Sequence, residues 1–307
     1  MKAFLFNALS VVGSLASIIG LFSGNIILKI VGVVFVICYA IGITIFFVKR
    51  HLSIKKIRKD ISIEYDKRLQ GLSEANRTIF DTLKNETADI RNGKGIDANS
   101  FQKVIATCCT TLNNYFDCYL GNKNSVCIKR IKTETILDAD VHEWDIITFG
   151  RSILTRKKRS ANDHESCKVK DNTDFDMILT GEAEYFASPN LNITVQKYKD
   201  QNKIFKNSHE GFLNCYQSTI VVPIRINMAR ISSQLLPYIK YTEDQHVYHV
   251  LGFLCVDSMV TYSEDSVAFF SAVEQTIAFA DALYPILESF LIAQLPDPVK
   301  VGSPVGN

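Results

Sequence analysis

Few side chains in this chain stand at the spacings that chemistry requires. Ser53-Ile54-Lys55-Lys56 matches the Ser-x-x-Lys pattern of serine acyl transfer, but it does so by chance, inside a run of basic residues. Asp244, His246 and His249 contain metal-ligand types, yet the two histidines share a strand side or loop only loosely, and no metal is expected. The eight cysteines include no C-x-x-C pair and no zinc spacing. They read as reduced and mostly buried thiols. Gly-x-Ser-x-Gly, Gly-rich phosphate loops and His-Glu-x-x-His are all missing from the sequence. The expectation is therefore a non-enzyme without a cofactor. Arg156-Lys157-Lys158-Arg159 has two readings, a phosphate or headgroup contact and a solvated hairpin loop.

The elements that must position any site begin with an apolar N-terminus. Between residues 3 and 48 the one charged side chain is Lys29. Runs 3–22 and 26–48 can each cross a hydrocarbon core of roughly 30 Å at about 1.5 Å of rise per residue. Ser23-Gly24-Asn25 reads as the turn between them. Lys49, Arg50, Lys55, Lys56, Arg58 and Lys59 follow directly. The excess of positive charge beside the second run places the C-terminal portion in the cytoplasm, as a multi-pass protein of the inner membrane. A cleaved signal peptide followed by a single anchor is the rival reading, and it leaves the same portion inside. Ser10, Gly13, Ser17, Gly20 and Gly24 recur at steps of three and four. Such a row of small residues packs against the second span or against further copies.

Residues 49–94 read as a helical stalk with a thin apolar stripe: Ile54, Ile57, Ile61, Tyr65, Leu69, Leu72, Asn76, Ile79, Leu83, Thr87 and Ile90. The mean step is about 3.6, which suits a nearly straight helix rather than a heptad supercoil. The stripe needs a partner. Either a second copy supplies it, giving a homo-oligomer, or the following domain folds back onto it. Gly71 marks a possible bend, and Gly93-Lys94-Gly95 ends the stalk.

From residue 95 to 295 the composition is that of a globular domain, with a loose tail over 296–307. A helix through Phe101, Ile105, Cys108, Leu112 and Phe116 is followed by strands at 125–131 and around 145–149. A short helical stretch follows Thr173, and a long polar loop reaches residue 210. Strands at 218–226 and 247–258 come next, with Pro223 suggesting an edge or a bulge. Ser263-Glu264-Asp265-Ser266 caps a last long apolar helix. The fold class is α+β: a largely antiparallel sheet with its first and last helices on one face. Trp144 reads as a core or lid residue. Net charge is +2, with the positive excess beside the membrane, so lipid is the expected partner and nucleic acid is not.

Ser218-Thr219-Ile220-Val221-Val222-Pro223-Ile224, then Leu251-Gly252-Phe253-Leu254-Cys255-Val256-Asp257-Ser258, then the helix after Ser263, resemble the core strands and closing helix of the GAF domain family of small-molecule sensors. The resemblance implies a pocket between the sheet and the short helices. Its implied lining is Phe175, Tyr185, Phe186, Ser218 and Thr219, with Asp257 at a strand end fixing a turn or touching a ligand. It carries no cyclic-nucleotide or bilin signature, so the ligand is open. The expected function is a membrane-anchored sensor that passes binding of a small molecule or protein partner to its transmembrane hairpin, as defence-type membrane effectors do by analogy. A tethered scaffold or regulatory subunit is the alternative.

Overall fold

The computed structural model describes residues 26–91, 98–121, 124–132, 140–152, 165–235 and 248–294. The expected first span (3–22), its small residues Ser10, Gly13, Ser17, Gly20 and Gly24, the turn at 23–25, Gly93-Lys94-Gly95, the basic cluster 156–159, Asp244, His246 and the tail lie outside the described residues. The chain divides into two units, with the boundary between Asp66 and Lys67.

Helix α1 runs Ile26–Arg91, so the expected second span and the stalk are one continuous helix. In the first unit most of the described apolar side chains are exposed, with Ile26 73%, Ile30 60% and Phe47 60% exposed. Within this stretch Thr44 returns its hydroxyl to the Ala40 carbonyl at 2.9 Å, so that polar group is satisfied inside the helix. Ile54, Ile57, Ile61 and Tyr65 are exposed as well.

In the second unit, α2 (Ala98–Leu120) precedes β1 (Asn124–Ile131), β2 (Asp145–Arg151) and β3 (Cys167–Lys168). Then follow α3 (Thr173–Leu179), β4 (Phe186–Ser188), α4 (Leu191–Asp200), β5 (Ser218–Asn227), β6 (Tyr248–Ser258) and α5 (Val267–Gln294). The strands form one antiparallel sheet in the order β3-β2-β1-β6-β5-β4. Successive residues of a strand point to opposite faces. Val126, Ile128, Ile220, Val222, Ile224, Leu254 and Val256 therefore share one face, buried against α2 and α5. Cys127, Ile131, Ile146, Val221, Phe253 and Cys255 share the other, buried under α3, α4 and the loop that follows. Both faces are covered, which is why β5 and β6 read as nearly continuous apolar runs.

Among the described residues, two helices are long and apolar enough to cross a membrane, the stretch within α1 and α5. Helix α5 is a core element: Phe269, Phe279, Leu283, Ile286 and Phe290 are all buried in the cluster under the sheet.

The part of α1 beyond Lys67 joins that cluster. Ala75 and Ile79 are fully buried, and Leu72 packs beside them. The Arg68 guanidinium lies 4.9 Å from the centre of the Tyr119 ring. The helix continues through Gly71, where a Cβ would stand 3.5 Å from the Tyr115 ring, an ordinary packing distance. Leu72 and Ile79 of the stripe therefore have their partner within the chain.

Two local features depart from the sequence reading, and a third, Pro223, agrees with it. Helix α4 lies in what reads as a polar loop, and the signal for it is Asn190, whose side chain accepts from the Asn192 and Ile193 amides as an N-cap. Strands β3 and β4, two and three residues long, are too short for periodicity to reveal. Pro223 sits in an interior strand, yet β4 pairs only Thr219–Val221, so at Pro223 that edge of β5 is open and no ladder bond is lost. The register also shifts just beyond it, between Ile224 and Arg225.

Gly252 faces Arg130 across β1–β6, and a Cβ there would meet the Lys129 carbonyl and the Arg130 Cα. Backbone does not yield as a flexible side chain does. Gly252→Ala is expected to destabilise the protein by about 1–3 kcal/mol or more, read from urea unfolding of the detergent-solubilised chain. Unchanged unfolding would show that the two strands are not this close.

Candidate functional site

Between the second sheet face and the elements that cover it lies a cavity of about 250 Å³. The sheet supplies its floor in ladder order. Arg151, Cys127, Cys255 and Val221 form one row across β2, β1, β6 and β5. Asp257 and Thr219 stand to one side of that row, and Thr148 with Lys129 to the other. The walls are Asn172, Asp174 and Phe175 at the start of α3, Ser166 and Cys167 at β3, and Asn207, Ser208, His209, Cys215 and Tyr216 from the loop before β5.

That loop is fastened to α3 by polar bonds. Asn172 Oδ1 accepts from the Ser208 amide and hydroxyl, both at 3.0 Å, while its Nδ2 donates to the Lys168 carbonyl at 3.0 Å. Thr173 Oγ1 accepts from the Lys206 amide at 2.7 Å. Asn207 donates to the Tyr216 hydroxyl at 2.8 Å, and His209 Nε2 meets Cys215 Sγ at 3.2 Å.

The sequence-derived residues divide in two. Phe175, Thr219 and Asp257 line the cavity. Asp257 does not fix a turn: it lies within β6, 8% exposed, and accepts from Thr219 Oγ1 at 2.8 Å. Tyr185, Phe186 and Ser218 do not line it. Ser218 points to the opposite face from Thr219, as strand alternation requires, and donates to the Val260 carbonyl at 2.8 Å. Phe186 is buried in the apolar cluster, and Tyr185 is 36% exposed. Trp144 is a core residue of the same cluster. His249, the one member of the Asp244/His246/His249 set within the described residues, is buried in β6.

Sequence reasoning missed the charged members. Lys129 is part-buried on the floor, its Nζ 4.9 Å from the centre of the Phe175 ring. Phe175 in turn stacks on Phe253 at 4.6 Å. Arg151 is 8% exposed and donates to Ser125 Oγ at 3.4 Å. Asp174 is also 8% exposed and accepts from the Phe175 amide at 2.9 Å. The available signal was alternation: in Ser125-Val126-Cys127-Ile128-Lys129, the polar positions share the face opposite the apolar ones.

The surroundings shift the titration of several of these groups. Burial pushes the Asp174 carboxyl up to about 6, against the pull of Lys129 and the Phe175 amide. Burial disfavours the Lys129 charge, but its acidic neighbours Cys167, Cys127, Cys255 and Asp174 outweigh that, and its net shift is upward. Cys127 and Cys255 are partners across β1–β6, and both are buried. A hydrogen bond from Cys255 pulls the Cys127 thiol down, helped by Arg151 and opposed by burial; the same bond pushes Cys255 up.

No protein-family model and no curated protein matches this chain. Solved structures similar to it include the GAF domain of an Acinetobacter phosphoenolpyruvate-protein phosphotransferase, at 13% identity and a TM-score of 0.33 over 68% of this chain and 91% of that one. The corresponding domain from Coxiella burnetii is 11% identical, with a TM-score of 0.32 over 67% and 93%. The phycoerythrobilin-bound GAF domain of a cyanobacterial phytochrome is 13% identical, with a TM-score of 0.34 over 69% and 96%. The domain is GAF-like in its own layout: one antiparallel sheet, terminal helices on one face, short helices and a cavity on the other.

The Asp174 carboxyl titrates near 3.8 in an unfolded chain and near 6 here, so between those values the folded protein holds the extra proton. Its contribution to stability therefore falls as pH rises from about 4 to about 6. Buried His249, pulled down to about 4 by burial, acts oppositely over the same range. Comparison with Asp174→Asn isolates the carboxylate. That variant should be more stable than wild type at pH 7 by roughly 1–3 kcal/mol, with the gap closing by pH 4, in urea titrations of the full chain. An equal gap at both pH values would contradict a carboxylate burdened by burial.

Proposed function

We propose that this chain is a membrane-anchored sensor in which occupancy of the cavity biases helix α1 and, through it, the membrane segment. The observation that carries the reading is the cavity itself. A small space lined by Lys129, Arg151, Glu165, Asp174 and Asp257 gathers charged groups in a concavity, and such convergence is the mark of a binding site. The site lies on one face of the sheet, and Leu72, Ala75 and Ile79 of α1 pack into the cluster on the other. A shift in the strands between them is felt by both.

Anchoring is supported by the bare apolar side chains of α1 from Ile26 to Val48 and by the basic residues that follow. In this reading the domain faces the cytoplasm, no catalysis occurs, and the output is a change in the bilayer, as in a defence-type effector. Ile54, Ile57, Ile61 and Tyr65, exposed at helical spacing, give a second copy of the chain a surface to pair with. The same stripe favours the second reading, a tethered regulatory subunit whose output lies in another protein.

The experiment is expression of the full chain and of a form lacking residues 1–48. The full chain is expected in the membrane fraction, extracted only by detergent, and its induction should raise dye entry into cells; the shortened form should do neither. A freely soluble full chain, or equal dye entry with both forms, would overturn the reading.

A further inference from the structure

We propose that the cavity binds a small molecule carrying both a carboxylate and a hydrogen-bond donor, of the amino-acid or hydroxy-acid class, with the carboxylate on Lys129 and the donor on Asp174. This rests on the reading of the cavity as a ligand site. Most polar groups around it are already engaged. Asp257 is held by Thr219, Arg151 reaches Ser125, Asn172 is held by Ser208 and Lys168, and His209 meets Cys215. Glu165 and Ser166 also line the cavity but are exposed to water, which meets their needs, whereas Lys129 is part-buried and Asp174 buried. Among the described residues, the contact of the Lys129 ammonium is the Phe175 ring, and no carboxylate or carbonyl accepts from it. Asp174 accepts from a backbone amide, and no side-chain donor reaches it. The two sense each other's charge but form no ion pair.

Opposite charges held apart in a sheltered space each keep an unmet need: three donors on the ammonium, free lone pairs on the carboxylate. A ligand that enters must answer both. A phosphate answers Lys129 but sets its charge against Asp174, and a simple amine answers Asp174 but is repelled by Lys129. Discrimination by such opposed groups needs no further contact. At about 250 Å³ the space lies just under the roughly 300 Å³ at which pockets for drug-sized ligands begin, which suits a metabolite of a few carbon atoms. Phe175, which lines the cavity beside the ammonium, gives the carbon stem an apolar neighbour.

The test uses the full chain in detergent, with the twenty common L-amino acids, lactate and malate as probes, read by thermal shift and calorimetry. At least one is expected to bind. Its analogue lacking the amino or hydroxyl group, and its analogue lacking the carboxylate, should each bind at least about tenfold more weakly. Lys129→Met should also lose about tenfold, while Lys129→Arg, which keeps the charge and reports that the fold survives substitution, should retain binding within a few-fold. No binding by any probe, or equal binding by either truncated analogue, overturns the proposal. Alkylation of Cys167 and Cys215, part-exposed on the cavity wall, separates the two levels of the argument. If a cell metabolite extract slows alkylation while none of the probes does, the ligand is of another class and the sensing reading stands. If nothing slows it, both fall.

Discussion

The structure turns on a sheet covered on both faces. One cover, α2 and α5 with Leu72, Ala75 and Ile79 of α1, forms an apolar cluster with Val126, Ile128, Ile220, Val222 and Leu254. The other must close over Cys127, Val221, Phe253 and Cys255 but also over Lys129, Arg151, Asp174 and Asp257. Charged groups can be enclosed only with partners, water or a ligand, because each ion removed from water without compensation costs several kcal/mol. The second cover is accordingly made of short elements tied by side-chain bonds rather than by long apolar helices. Asn172, Thr173 and Asn207 do that tying. The cavity is where that cover stops short of the floor.

The same sheet links the cavity to α1. Lys129 and Ile128 are neighbours on β1 with opposite outlooks, one into the cavity and one into the cluster that contains Ala75 and Ile79. Gly252 brings β6 so close to the Lys129 carbonyl that the two strands have little freedom to move separately. Packed cores shift between discrete arrangements rather than yielding smoothly, so a change in how Lys129 is held has a route to the helix. Signalling through this route is our proposal; the packing that would carry it is observed.

Long, strongly patterned elements were legible in the sequence. The α+β class, the helix over Phe101–Phe116, the strands around Val126, Ile220 and Leu254 and the closing helix follow from apolar periodicity, and Phe175, Thr219 and Asp257 line the cavity. Elements whose signal is a single cap or a few residues were not. Helix α4 announces itself only through Asn190, and β3 and β4 only by pairing. Ser218 was placed beside Thr219 although neighbours on a strand face opposite ways. Lys129 and Asp174 escaped because each looks ordinary alone; the fold gives them meaning by bringing positions 45 residues apart into one cavity. The stalk stripe hid a division of labour: Leu72 and Ile79 pack into the domain's core, while Ile54 to Tyr65 stay exposed, and spacing alone does not distinguish the two.

Hydrogen exchange of the full chain in detergent, comparing wild type with Lys129→Met, tests the central claim most directly, since it reports local opening on the timescale of minutes and longer. The account predicts altered exchange around the cavity, at residues 172–175 and 207–216, together with altered exchange at residues 72–82 of α1 on the far side of the sheet. A change confined to the cavity, with residues 72–82 exchanging as in wild type, would contradict it.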